Sequence, residues 1–230
     1  MKKIIAMLLI AMLISACTAQ ENTPEKADVK TELTMGYTTE PEGLDPHRTA
    51  AASTFTVTNN IYDTLVGVTP QWEIVPRLAK EWVISDDGME ITFSLRDDVY
   101  FHNGRQMTAK DVEYSFTRLK DAESPRARDY ENIVKIEVLN DYEIKFITAE
   151  LDVELLKSFV YPWAAVVPEE EVANLKTEPV GTGAFTLEEW VPQQHLILKR
   201  NENYYGDEIK LETVKMVLIP DATGMMAGFQ

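Results

Sequence analysis

Side chains able to do chemistry are few and scattered along this 230-residue chain. His47, His102 and His195 are its only histidines, and none has a metal-ligating partner three or four residues away, the spacing that sets two ligands on one helix face. A preformed metal site is therefore not expected. Glu40 and Glu42 flank Pro41, with Asp45 close behind, which is raw material for paired acid and base catalysis. With no nucleophile placed beside them, an acidic loop is the simpler reading. Gly181-Thr182-Gly183 lacks the Lys and Ser or Thr that complete a phosphate-cradling loop, so it reads as a turn. No Gly-x-Ser-x-Gly elbow occurs. Trp72, Trp82, Trp163 and Trp190 are dispersed as core or cleft-lining residues would be. No cofactor is called for, and the chain is not expected to be an enzyme.

Cys17, the only cysteine, ends an apolar run and follows Ile14-Ser15-Ala16. Lys2 and Lys3 precede an apolar stretch from Ile4 to Ile14, so residues 1–16 read as a bacterial lipoprotein signal whose processing makes Cys17 the lipid-bearing N-terminus. The run is shorter than the roughly 20 residues that a bilayer core requires, which argues for a lipid anchor over a membrane span. Residues 17–30 are polar and without apolar periodicity, as a flexible tether would be. Loss of Lys2 and Lys3 with the signal takes the net charge from −16 to −18, because residues 1–16 carry no acid. Nucleic acid is excluded as a partner by that acidity and by the lack of any Lys/Arg cluster.

Candidate chemistry needs elements to hold it. Glu32 to Tyr37 alternates as a strand and is ended by Pro41, Gly43 and Pro46. Thr54 to Leu65 reads as a helix. Glu81 to Ile84 and Glu90 to Leu95 flank Asp87-Gly88, a hairpin signal. Thr108 and Asp111 make an N-terminal cap for a helix with Val112, Ser115, Phe116 and Leu119 on one face. A second hairpin joins Ile133–Leu139 to Tyr142–Ile147 through Asn140-Asp141. Leu151 to Phe159 reads as helical, and Pro168 opens a short helix ending near Leu175. Strands follow at Phe185–Glu189, Leu196–Lys199 and Thr213–Ile219, and Asp221 caps a final helix. Helices and hairpins are interspersed without a βαβ rhythm, so the expected class is α+β with antiparallel or mixed sheets.

Several of these segments resemble one family together. Gly43-Leu44-Asp45-Pro46-His47, Ile61-Tyr62-Asp63-Thr64-Leu65-Val66 and Pro76-Arg77-Leu78-Ala79-Lys80-Glu81-Trp82 look like elements of the family 5 extracellular solute-binding proteins of oligopeptide, dipeptide and nickel ABC importers. The longest match runs from Asp86-Asp87-Gly88 through Thr92–Val99 and Phe101-His102-Asn103-Gly104 to Thr108–Val112. Val180–Phe185 and Arg200–Gly206 resemble two further elements, with Ala184 in place of the usual proline.

The resemblance implies a periplasmic-binding-protein-like fold (type II, cluster C), bilobed and carrying an extra inserted domain. Residues 31–46 and 176–230 would form one discontinuous lobe and residues 47–175 the insert. The second ligand lobe of family members would lie beyond Gln230, so the sequence is expected to be a fragment or truncated form with little ligand affinity by itself. It also implies an extracytoplasmic receptor, monomeric, held to the cell membrane through Cys17 and delivering its ligand to permease subunits. By position, Thr38, Thr39, Glu40, Pro41 and Glu42 would pair with an extended oligopeptide or dipeptide. Gly181, Thr182 and Gly183 would stand at the return to the first lobe, and Tyr37, Tyr130 and Trp163 would be cleft walls. A nickel chelate, another small solute or a sensory role without transport are the alternatives. Tyr161–Ala165 lacks the arginine thought to help nickel-binding relatives hold their chelate, a place that Arg126 and Arg128 could fill.

Overall fold

Apolar residues at every second position near both ends of the described chain make strands that meet in one sheet. β1 (Glu32–Tyr37) runs parallel to β10 (Thr213–Leu218), with Met35 opposite Met216. β9 (His195–Arg200) and β8 (Phe185–Val191) continue the sheet antiparallel, in the order β1-β10-β9-β8. One face buries Leu196, Leu198, Val214 and Met216, with Met35 and Tyr37 partly covered beside them. The computed structural model describes residues 30–221. Cys17, the signal, all but the last residue of the tether and the helix expected after Asp221 lie outside the described residues.

The middle of the chain builds a second sheet. β4 (Ala79–Ile84), β5 (Glu90–Leu95), β7 (Glu143–Thr148) and β6 (Ile133–Asn140) pair antiparallel in the order β4-β5-β7-β6. Both hairpins expected from Asp87-Gly88 and Asn140-Asp141 form. Gly88 takes φ +71°, and the Asp87 carboxylate beside it accepts from Ser85 Oγ (2.6 Å) and Met89 N (3.0 Å). α2 (Ala109–Leu119), numbered after a shorter α1 (Ala52–Thr58), lays Val112, Phe116 and Leu119 on this sheet. Its Asp111 Oδ2 accepts from Thr108 N at 2.8 Å, the cap that the sequence places there. Phe116 meets Phe146 and Phe159 edge-on, with ring centroids 5.0 and 5.1 Å apart.

Three sequence expectations are corrected. The helix read over Thr54–Leu65 is only Ala52–Thr58. Asn60 turns its side chain back onto the Thr56 and Val57 carbonyls (3.0 and 3.2 Å), and the carbonyls of Asn60 and Ile61 are taken by Phe185 N and Gly183 N (both 2.9 Å), so tertiary bonds replace the helical ladder. Leu151–Phe159 contains one helical turn, α3 (Leu155–Ser158), because the Asp152 carboxylate first binds Glu154 N (3.0 Å) in a local turn. After Pro168 a 3₁₀ turn covers Glu169–Glu171 rather than a helix to Leu175. A hairpin of β2 (Val66–Val68) and β3 (Ile74–Pro76) stands where no strand was expected.

Polar side chains stitch the two sheets' surroundings together. Arg118 on α2 donates two bonds to Asp45 (2.9 and 2.5 Å), and Arg48 donates two to Asp121 (2.9 and 2.6 Å). Between them His47 is fully buried, with Nε2 2.9 Å from the Ala165 carbonyl.

Candidate functional site

β1 lies at the edge of its sheet, and where it ends the chain bends at Thr38 and Thr39 beside a pocket. Tyr37, Thr38 and Thr39 line a cavity of about 210 Å³ together with Ala52, Ser53 and Thr56 of α1 and Met216 of β10. The Tyr37 hydroxyl is buried without a hydrogen-bond partner among the described residues, although its ring is half-buried only. Burial, helped by the Glu40 charge, pushes its pKa up, so it remains a neutral donor at any physiological pH. Glu40 turns away from that pocket. Its Oε1 accepts from Gln193 N (2.7 Å) and Trp190 Nε1 (3.3 Å), which fixes the loop against the β8–β9 turn. Pro41 is buried, while Thr38, Thr39 and Glu42 are exposed.

α1 joins this pocket to an aromatic stack. Phe55 is 5.7 Å from Trp163, Trp163 lies flat on Tyr161 (4.5 Å, 12°), and the Arg126 guanidinium sits 4.0 Å from the Trp163 ring centre. Tyr161 is exposed, so the stack has a solvent-facing side. Tyr130 is fully buried, donating its hydroxyl to the Ser158 carbonyl (2.8 Å) under Phe116. Arg128 is exposed.

Gly181, Thr182 and Gly183 are buried rather than presented to solvent. A Cβ on Gly181 would come within 2.1 Å of the Ile61 carbonyl oxygen, and one on Gly183 within 2.6 Å of the Ile61 carbonyl carbon, so both positions require glycine for backbone approach. His102 clamps the same turn, with Nε2 3.0 Å from Gly183 O and Nδ1 3.3 Å from Gly181 N. Burial lowers its pKa, which suits a neutral ring with one donating and one accepting nitrogen. Thr182 lies beside Asp63, whose carboxyl burial pushes up despite Arg77 (3.0 Å) and the Tyr205 hydroxyl (3.1 Å).

The structure thus gathers Tyr37, Thr38 and Thr39 in one pocket and carries Trp163 near it through Phe55. Tyr130 and the glycine turn sit within packed interior. Sequence reasoning missed Ser53, Thr56 and Phe55, because a helix of Thr and Ser gives no periodic signal that marks a ligand-facing side. Trp72, expected in core or cleft, is 84% exposed instead. Among the described residues no group of three His, Cys, Asp or Glu side chains is placed to hold a metal ion, and no helix is long and apolar enough to cross a membrane.

Solved structures with this arrangement of sheets are binding proteins. One is the ABC transporter-associated periplasmic binding protein of Helicobacter pylori in complex with the peptide STSA, with a TM-score of 0.76 and 28% identity over 86% of this chain and 44% of that one. The fold is that of a periplasmic binding protein, α+β with one mixed sheet. The profile of the bacterial extracellular solute-binding proteins, family 5 middle, matches residues 73–230, more than half of the sequence, and the chain belongs to that family. Di/tripeptide-binding protein 1 of Pseudomonas aeruginosa is 28% identical over 80% of this chain and 40% of its own length. The nickel-binding periplasmic protein of Escherichia coli is also 28% identical, over 86% of this chain and 39% of its length. The chain therefore spans about 40% of the length of these relatives.

Proposed function

We propose that the protein is the substrate-binding component of an ABC importer, that it captures extracellular di- to oligopeptides for the permease, and that it does so without catalysis. What supports this reading is the edge strand β1 and the Tyr37–Thr39 segment at its end, which shares a pocket with Ser53 and Thr56. An extended peptide can pair with such a backbone as an added strand, which reads main chain and tolerates varied side chains. The peptide-binding relatives support the same class of ligand. Residues 31–46 and 176–230 form the ligand lobe in this reading, with 47–175 inserted. Val57, Ile61, Tyr62, Ala165 and Val167 reach from the insert into the lobe's core. Cys17 holds the monomeric receptor by lipid at the outer face of the cell membrane, next to its permease. Gly181, Thr182 and Gly183 shape the lobe behind the pocket.

A second reading is favoured by one observation. Arg126 stacked on Trp163 offers a cation at the aromatic shelf, as an anionic nickel chelate would need. Calorimetric titration of the protein extended to the length of its relatives, with di- to pentapeptides in one series and nickel–histidine in another, separates the two. Micromolar or tighter peptide binding is the expected result; binding of the chelate alone replaces peptide as the ligand, and silence in both series overturns the receptor reading.

A further inference from the structure

Hydroxyl groups dominate the pocket at the end of β1, and two of them have their hydrogen already in use. Thr56 Oγ1 donates to Ala52 O at 3.0 Å and Ser53 Oγ donates to Glu40 O at 3.4 Å, so each has its single hydrogen on the backbone and lone pairs left to accept with. Tyr37 is the reverse case. Its hydroxyl is buried and has no hydrogen-bond partner among the described residues, so its hydrogen is still to be placed. A buried polar group left in that state costs about 1–3 kcal/mol, which a ligand acceptor set against it would remove. Thr38 and Thr39 are exposed, and water can serve their hydroxyls.

The walls carry no charge. Glu40 lies next along the chain, but its carboxylate is held elsewhere by Gln193 N (2.7 Å) and Trp190 Nε1 (3.3 Å), and neither Lys nor Arg lines the pocket. A ligand carboxylate would enter with no cation to pair it, on a chain of net charge −16, and an ammonium group would find no carboxylate. An apolar side chain would cover Met216 and leave the Tyr37 hydroxyl as it is. The volume, about 210 Å³, falls below the roughly 300–1,000 Å³ of sites that enclose a whole small molecule, so the pocket takes one group of a larger ligand.

We propose that this pocket selects peptides by one carboxamide side chain, Gln or Asn, whose carbonyl oxygen accepts from the Tyr37 hydroxyl and whose NH₂ donates to Ser53 Oγ and Thr56 Oγ1. This rests on the peptide-receptor reading above. The carboxamide is uncharged and carries an acceptor beside two donors, the complement of one donor and two acceptors. Main-chain pairing admits any extended peptide, and the pocket ranks those it admits.

The test is calorimetric titration of the protein extended to the length of its relatives, with alanine tripeptides carrying Gln, Glu, Lys or Leu at each position in turn. The best Gln peptide should bind about tenfold tighter, or more, than the Glu, Lys and Leu peptides of the same position. Tyr37→Phe keeps the ring and removes the hydroxyl alone. It should bring the Gln peptide within about threefold of the Leu peptide, hold the affinity for Leu within about twofold and leave the Tm of the free protein no lower. Equal binding of Gln and Leu peptides, a preference for Glu or Lys, or a Gln preference that survives Tyr37→Phe overturns the proposal and leaves the receptor standing. Loss of every peptide together in Tyr37→Phe overturns it as well, because a merely structural residue acts in that way. Silence of the natural protein toward all the peptides sinks the peptide-receptor reading itself.

Discussion

Single residues in this protein divide into those that let the backbone approach and those that face outward. Gly181 is of the first kind. With its would-be Cβ 2.1 Å from a backbone oxygen that cannot retreat, Gly181→Ala should destabilise the fold by about 2 kcal/mol or more, read as a lower urea midpoint at unchanged slope. Arg126 is of the second kind. Its guanidinium lies on the Trp163 face 4.0 Å from the centre, so Arg126→Lys keeps a charge but loses the planar stack. If the shelf holds an anionic ligand group, Arg126→Ala should weaken binding by about tenfold or more and Arg126→Lys should recover only part, as measured by calorimetry. Equal affinities in all three proteins would remove Arg126 from the site.

At the scale of elements, capping and tertiary bonds decide where helices begin and stop. α2 starts where Thr108 and Asp111 predict, and Asp111 also accepts Arg105 through both oxygens (3.1 and 2.6 Å). Asp111→Ala removes the cap and leaves Glu170 as the one carboxylate bonded to Arg105, at a cost of about 1–2 kcal/mol in chemical denaturation. Asp111→Asn, which retains an acceptor, should lose less. α1 shows the opposite lesson, because the bonds that end it come from residues 183 and 185, far along the chain. A hairpin is legible when Asp-Gly sits between alternating runs; β2 and β3, three residues each, are too short to leave such a pattern.

At the scale of the whole molecule, the seam between the two cores is made of buried charge. Burial is the chief cause that takes His47 down from 6.5 to about 4; the bond to Ala165 opposes it, and the Arg118 charge adds to it. The folded state therefore resists a proton that the unfolded chain accepts. Stability from this group is complete above about pH 6.5 and is lost as pH falls toward about 4, by at most about 3 kcal/mol. Burial raises Asp45, but the Arg118 hydrogen bonds and charge outweigh it and hold the carboxyl below its usual range, so Asp45 adds a further loss at lower pH. Denaturation of the natural protein at pH 8, 6 and 5 should show falling stability, and His47→Gln should flatten that decline. An unchanged slope in the variant would show that His47 does not set it.

The amino-acid sequence alone carried the family resemblance in its motif segments, and it determined the class and most of the strand pattern, since alternation, caps and Asp-Gly turns are local and each residue's neighbours in sequence suffice to express them. It also singled out Tyr37, Thr38 and Thr39, which the fold brings together in one pocket with α1. Tertiary structure alone decided that Gly181–Gly183 packs inward on Ile61, that Phe55 links the pocket to Trp163, and that Trp72 points into solvent. Each of these depends on which distant segment lies alongside, a relation fixed by packing two sheets and a seam of ion pairs and unreadable from spacing along one chain.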